Sequence, residues 1–232
     1  MRSRIAIVIP AFNEEPTLAE VIAKIKKCLS QEYDYRIFVV DDGSDDRTSD
    51  VAADSGAEVA RHPFPTGVGG ATKTGFLMAR TWNPDIIVQI DADGQHEPEE
   101  LRKFFHEIET QGCDLVIGSR FLKTDPEMSA VRKRGIRFFT WLVNRLTGYN
   151  LTDITNGYRA FRAELLDEVY FSAEKNWAIE MTLRASRCGL RVKEVPVTNI
   201  GRIKGQSQFN NLSAFVAYPV RAIMQIITVY SK

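Results

Sequence analysis

The stretch IVQIDADGQHEPEE, residues 87–100, carries an apolar run outward and ends it in two carboxylates one residue apart, Asp91 and Asp93. Ile87–Ile90 has the length and β-branched content of a buried strand. Gly94 and Gln95 read as a turn. Pro98 sits where a first-turn proline is tolerated, so Glu97–Glu100 reads as the start of a helix. Strand, acidic turn and helix in direct succession make one βα unit, with its charge collected at the carboxyl end of the strand. Two carboxylates this close repel unless a cation neutralises them. A D-x-D string is often only a capped turn; at the end of an apolar strand it points to a metal.

The same unit recurs along the first 120 residues. Arg4–Ile9, Arg36–Val40, Ala57–Ala60, Asp85–Ile90 and Asp114–Ile117 are short, apolar and β-branched. Between them lie helical stretches at roughly 15–30, 46–55, 69–82 and 97–110, with capping-box spacing from Thr17 to Glu20. This alternation predicts an α/β fold, a mostly parallel sheet flanked by helices. Such sheets bind ligands beyond the carboxyl ends of their strands. Here those ends read PAFNEE (10–15), DDGSDD (41–46), DADGQ (91–95) and GSR (118–120), so acidic and polar groups gather on one edge. An all-oxygen set suits Mg²⁺ or Mn²⁺. His96 brings a softer nitrogen and reads as a structural residue or one standing behind a ligand; His62 and His106 read as loop and helix-surface residues with no visible partner. Asp42 can accept hydrogen bonds from a base or ribose. Gly67-Val-Gly-Gly70 precedes a helix carrying Lys73, but matches neither G-x-x-x-x-G-K-[ST] nor G-x-G-x-x-G. Those glycines fit a tight turn as well as close approach to a ligand.

After residue 122 the rhythm changes. Ile136–Leu146 reads as an amphipathic helix with Phe138, Phe139, Trp141 and Leu142 on its apolar face. Asp153–Phe161 is a turn into a strand, Ala178–Cys188 a helix and Arg191–Val197 a strand. No repeat or linker interrupts the chain, so residues 1–232 read as a single domain, long enough and apolar enough for a full core. Leu212–Tyr230 is apolar but holds Pro219 and Arg221; this fits an amphipathic helix at an interface or against the core better than a membrane span. Net charge is zero, yet residues 1–127 hold 14 Lys/Arg against 23 Asp/Glu and residues 128–232 hold 16 against 7. The acidic half is suited to cations and the basic half to anions. Cys28, Cys113 and Cys188 are far apart and read as free thiols of a reducing compartment. Met1–Arg4 leads straight into a strand without an N-terminal signal, and a cytoplasmic chain is expected.

Seven motifs together resemble family 2 glycosyltransferases of the GT-A fold. They are IPAFNEE (9–15), VVDDGSDDRT (39–48), GVGGATKTGF (67–76), DADGQHEPEE (91–100), GSRF (118–121), DITNGYRAF (153–161) and EVPV (194–197). The subgroup they resemble is the dolichol-phosphate mannosyltransferase-like, or polyprenyl-phosphate glycosyltransferase, enzymes, in order over residues 4–208. The resemblance implies an inverting hexosyltransferase that takes its sugar from a nucleotide-sugar donor of the GDP-mannose or UDP-glucose type. The acceptor would be a polyprenyl or dolichyl phosphate, met peripherally at the cytoplasmic face of a membrane, with no nucleic-acid partner. Residues 1–122 would form the donor and metal half, and 123–232 the acceptor half.

Carried onto this chain, the resemblance places Pro10, Phe12, Glu14 and Asp42 around the nucleoside. Asp91, Asp93 and Gln95 would hold the metal on the diphosphate, with Ala92 packing beside it. Asp91, Asp93 and Arg120 form the expected catalytic set, Arg120 facing a phosphate. Lys73 and Arg202 complete the substrate-binding group. Arg202 lies in RIKGQSQ (202–208), which matches an R-x-x-G-x-S-K loop except that Gln208 stands for its lysine, with Lys204 nearby as a replacement charge. Relatives acting on hydroxyls carry a Glu-Asp pair that supplies a general base; here it reads Glu180-Met181. A lipid phosphate needs no such base. Two rival readings follow: transfer to a sugar hydroxyl, with a strict need for Glu180, and a silent nucleotide-sugar-binding subunit.

Overall fold

β1 (Arg4–Ala11) is buried along its whole length beyond Arg4, and its side chains divide by parity. Ile5, Ile7, Ile9 and Ala11 enter one core; Ala6 and Val8 enter another. Successive strand residues point to opposite faces, so a strand apolar in both registers needs a cover on each. The computed structural model, which describes residues 2–29, 32–123, 126, 128–168, 176–198, 223–224 and 226–229, supplies both.

The chain continues through α1 (Leu18–Leu29), β2 (Asp34–Asp41), α2 (Thr48–Asp54), β3 (Glu58–Arg61), α3 (Val68–Thr81) and β4 (Ile86–Gln89). A single 3₁₀ turn at Pro98–Glu100 leads into α4 (Leu101–Glu109), then β5 (Leu115–Ser119) and α5 (Ala130–Thr147). β6 (Arg159–Arg162), α6 (Leu165–Glu168), α7 (Trp177–Arg187) and β7 (Val192–Pro196) follow. The strands form one seven-stranded sheet in the order β3-β2-β1-β4-β6-β5-β7. Only β6 runs antiparallel, to β4 and β5. Leu18, Val21, Ile22 and Ile25 of α1, with Phe104, Phe105 and Ile108 of α4, cover one face. Phe76 and Ala79 of α3, Phe139 and Val143 of α5 and most of α7 cover the other.

From β1 the chain winds outward to β2 and β3, then returns to place β4 on the other side of β1. The strand order therefore reverses between β1 and β4, and the loops leaving their carboxyl ends diverge into a crevice. The acidic turn at 91–95 opens at that point.

Every strand expected from the sequence is present. α5 begins six residues before the expected Ile136, because Ser129 caps it by accepting from Arg132 N at 3.3 Å, and it ends at Gly148 in the left-handed region. The Thr17 hydroxyl does not close the expected capping box; it donates to Glu14 Oε2 at 2.9 Å. At the C-terminus Ile226 and Val229 are buried in the second core, whereas Ile223, Met224 and Ile227 are exposed. Among the described residues no helix is long and apolar enough to cross a membrane.

α3 lies close to the sheet at Gly75, where an added Cβ would stand 2.3 Å from Val8 Cγ1 and 3.3 Å from Val40 Cγ2. Alanine improves helix propensity by about 1 kcal/mol, but overpacking a tight contact costs about 1–3 kcal/mol. Gly75→Ala is therefore expected to lower unfolding stability in urea by about 1 kcal/mol, and the loss should shrink in a Val8→Ala background.

Candidate active site

The loops after β1 and β2 are laced together at the acidic edge. Asn13, at φ 55°, donates on one side and accepts on the other. Its N–H donates to Ser44 Oγ at 2.9 Å, and its Oδ1 accepts from Asp45 N at 2.9 Å. Glu14 N donates to Thr48 Oγ1 at 2.9 Å and Glu15 N to Asp46 Oδ2 at 3.2 Å, while Arg47 N returns a bond to Glu15 Oε2. Pro10 and Glu14 are buried in this lacing, and Phe12 is half-buried beside it. Asp41 anchors the second loop from full burial. Burial alone would raise its pKa; the Ser44 and Ser49 hydroxyls, Ser44 N and nearby Arg61 outweigh that and hold it below the ordinary carboxylate value.

Asp42 organises the neighbouring loop. Its Oδ1 accepts from Thr66 N at 2.9 Å and Thr66 Oγ1 at 2.8 Å and meets His62 Nδ1 at 2.8 Å; its Oδ2 accepts from Gly67 N at 2.7 Å. His62 also reaches Thr74 Oγ1 at 3.0 Å. The expectation that His62 lacks a partner is thus wrong. The missed signal was register: β3 pairs parallel with β2, setting Arg61 opposite Asp41 and so the next residue beside Asp42. Gly67, at φ 90°, opens α3, which accounts for a glycine there by the turn itself. Lys73 lies on the exposed side of α3.

At the end of β4 Asp91 and Asp93 are both partly exposed. Gln89 Nε2 donates to Asp91 Oδ1 at 2.8 Å, and Asp93 Oδ1 accepts from Gln95 N at 3.0 Å, closing the turn. His96 is buried and structural, as expected. Asp91 N donates to its Nδ1 at 3.2 Å, which leaves the ring proton on Nε2 facing Asn156 Oδ1 at 3.2 Å. Its ring stacks on Tyr158 at 4.7 Å. Asn156 in turn donates to Gly118 O at 2.7 Å, so the β4 turn is tied to the end of β5. Burial pushes the Tyr158 hydroxyl well above its usual range, and it donates to Glu97 O. Asn156 and Tyr158 belong to the DITNGYRAF stretch, whose motif was visible but whose contact with β4 requires the antiparallel β6.

Two further residues of the expected set are buried. Ala92 is 3% exposed and packs in the first core. Arg120, expected to face a phosphate, is buried: Nε and one terminal nitrogen grip Asp153 at 2.6 and 2.9 Å, and that nitrogen also reaches Thr155. Asp153 N donates to Glu194 Oε1, and Glu194 also accepts from Thr152. Burial, with Asp153 close by, raises the Glu194 pKa despite those donors. Glu180 is fully buried and accepts from Arg184 at 2.8 Å. Arg202, Lys204 and Gln208 lie outside the described residues.

Among the described residues no three His, Cys, Asp or Glu gather into a metal-holding group. The donor set expected at the end of β4 is the two carboxylates and the Gln95 side-chain amide. That fits Mg²⁺ or Mn²⁺, which bind through one or two carboxylates and leave positions for water and phosphate oxygens.

A mostly parallel sheet with acidic groups at its switch point is the arrangement in which open α/β proteins bind their ligands. The Glycosyl transferase family 2 profile matches residues 6–170, and the chain belongs to that family. The undecaprenyl-phosphate mannosyltransferase of Micrococcus luteus is 33% identical over 220 residues, 89% of this chain and 88% of that protein. The UDP-N-acetylglucosamine–dolichyl-phosphate N-acetylglucosaminyltransferase of Methanococcus voltae is 32% identical, covering 84% and 85%. Among solved structures, glucosyl-3-phosphoglycerate synthase of Mycobacterium tuberculosis with Mn²⁺, UDP-glucose and phosphoglyceric acid is similar at TM-score 0.74 and 25% identity, covering 98% of this chain and 79% of that one.

Asp41 gives the site a pH signature. Its folded pKa is lowered, so its contribution is present above 3.8 and lost as pH falls through the native value. Asp41→Asn is expected to cost about 1–3 kcal/mol at pH 7, and the gap to wild type should close in unfolding curves taken at successively lower pH.

Proposed function

We propose that this chain transfers a hexose from a nucleotide sugar to a polyprenyl phosphate, with Mg²⁺ or Mn²⁺ held by Asp91, Asp93 and Gln95. The observation that carries this reading is the pair of partly exposed carboxylates at the switch-point end of β4, each fixed by a neighbour at 2.8–3.0 Å. The names of the Micrococcus luteus and Methanococcus voltae relatives support the lipid-phosphate acceptor. The metal, when bound, takes up charge on the departing diphosphate.

The chain's own residues do the rest. The interlocked loops after β1 and β2 wall the nucleoside side of the crevice, with Pro10, Phe12 and Glu14 on one wall. Asp42, already engaged with Thr66, Gly67 and His62, holds the loop before α3 and through it the other wall. Arg120 acts from within, fixing the 152–155 segment through Asp153 rather than meeting a phosphate itself. Lys73 and Arg202 are the cations assigned to the substrate. A general base is needed for a hydroxyl acceptor. We read Glu180, buried against Arg184, as a structural acid, and its burial supports an acceptor that is already an anion.

A membrane-borne acceptor also suits α5. It exposes Val131, Phe138, Trp141 and Leu146, and carries Arg132, Lys133, Arg134, Arg137 and Arg145 on the same helix. Aromatic and basic side chains together are the composition of an interfacial helix. Peripheral attachment at the cytoplasmic face is the corresponding location.

The test is nucleotide release from a panel of GDP- and UDP-sugars with Mn²⁺, with and without a polyprenyl phosphate in detergent. Release from one donor only when the lipid is present is expected; release raised by a soluble saccharide and indifferent to lipid would overturn the acceptor assignment. Asp91→Ala and Asp93→Ala should each lower lipid-dependent turnover at least about a hundredfold while leaving the melting temperature near that of the parent. In co-sedimentation with anionic vesicles, Phe138→Ala/Trp141→Ala should shift protein to the supernatant.

A further inference from the structure

β4 breaks its own pattern at one position. Ile86, Ile87, Val88 and Ile90 are apolar and buried, as a strand covered on both faces requires. Gln89 is fully buried among them. Its parity puts it on the face of Ile87, where the second core would take another aliphatic residue. Its Nε2 donates to Asp91 Oδ1 at 2.8 Å, but its Oε1 is one of only two buried side-chain polar atoms without a hydrogen-bond partner among the described residues. Reversing the amide would set that oxygen against the Asp91 carboxylate, so the donor must face Asp91 and the orphaned carbonyl must face inward. A buried unpaired carbonyl costs free energy that an apolar residue of the same shape avoids. The chain keeps the glutamine all the same.

A second observation lies across the strand. Gly157 backs directly onto this pair: an added Cβ would stand 2.9 Å from Gln89 Oε1 and 3.4 Å from Asp91 Oδ1. Its φ is not in the left-handed region, so no backbone demand explains a glycine there. What it provides is room for the Gln89 amide to lie flat beside the carboxylate.

We infer that Gln89, seated against Gly157, is a positioning residue for the metal: by holding Oδ1 it sets the orientation in which the Asp91 carboxylate, its Oδ2 lying 3.7 Å from His96 Nε2, meets the divalent cation. Residues i and i+2 of a strand share a face, so the amide reaches the carboxylate without bending the backbone. The backbone of Asp91 is held independently, by His96 Nδ1 at 3.2 Å. Main chain and side chain of this one ligand are thus each pinned by a buried neighbour. Loss of a hydrogen-bonding partner behind a metal ligand typically lowers metal affinity about 10–100-fold. This inference rests on the reading of Asp91 and Asp93 as metal ligands.

The experiment is a Mn²⁺ titration followed by the electron paramagnetic resonance signal of the free ion, in the presence of a nucleoside diphosphate, with thermal melts of the same proteins. Wild type, Asp91→Ala, Gln89→Met and Gly157→Ala are compared. Gln89→Met keeps the shape and removes both the donor and the orphaned carbonyl. It is expected to weaken Mn²⁺ binding about 10–100-fold with a melting temperature equal to or above wild type, an outcome a merely structural glutamine would not give. Gly157→Ala, which presses on the pair from the other side, is expected to weaken Mn²⁺ binding in the same direction. If Asp91→Ala loses Mn²⁺ binding while Gln89→Met and Gly157→Ala both keep wild-type affinity, the inference fails and the metal site stands. If Asp91→Ala binds Mn²⁺ as wild type does, the metal site itself is wrong. If Gln89→Met fails to fold, Gly157→Ala decides alone.

Discussion

Everything in this molecule follows from a sheet that is apolar on both faces. A strand such as β1, buried in both registers, can only lie between two layers of helices, and the connections that cover it run the strands parallel. Parallel strands release all their carboxyl ends on one edge. The chain must therefore find a chemical use, or an internal partner, for whatever it places there. It places Asp41, Asp42, Asp91 and Asp93. Asp41 and Asp42 are compensated from within, by hydroxyls, backbone N–H groups, Arg61 and His62. Asp91 takes a hydrogen bond from Gln89 and Asp93 one from Gln95 N, and both remain partly exposed. The partial exposure of Asp91 and Asp93, against the burial of Asp41 and Asp42, is what supports our reading of the β4 end as a site for a cation.

The second constraint is the one antiparallel strand. β6 enters between β4 and β5 and carries the 153–158 segment to the mouth of the crevice. Through it Asn156, Gly157 and Tyr158 reach His96, Gln89 and Asp91, and Asp153 reaches Arg120. A buried ion pair gains little net stability unless its remaining bonds are met. Here Thr155, bonded to both partners, and Arg120 N meet them, so the Arg120–Asp153 pair serves to fix one arrangement of the segment behind the site.

Much of this was legible in the sequence. The βα alternation gave the fold class, and the acidic residues at successive strand ends located the edge, because period and composition are local properties. Asp91, Asp93 and the structural nature of His96 could be read from IVQIDADGQHEPEE itself. What local reading missed is what pairing across the sheet decides. His62 acquires Asp42 only through the β2–β3 register. Arg120 reads as a free phosphate ligand until Asp153 arrives from 33 residues away. Gln89 stands inside the motif as one polar residue in an apolar run, and its meaning lies in being buried, half-satisfied and backed by Gly157.

The central claim is that the carboxyl end of β4 holds a divalent cation on a nucleotide diphosphate. Anomalous diffraction from crystals grown with Mn²⁺ and a nucleoside diphosphate tests it directly. The account predicts one strong manganese peak about 2.1–2.2 Å from carboxylate oxygens of Asp91 or Asp93, bridged to the diphosphate. A diphosphate bound in the crevice with manganese elsewhere, or with none, would contradict it.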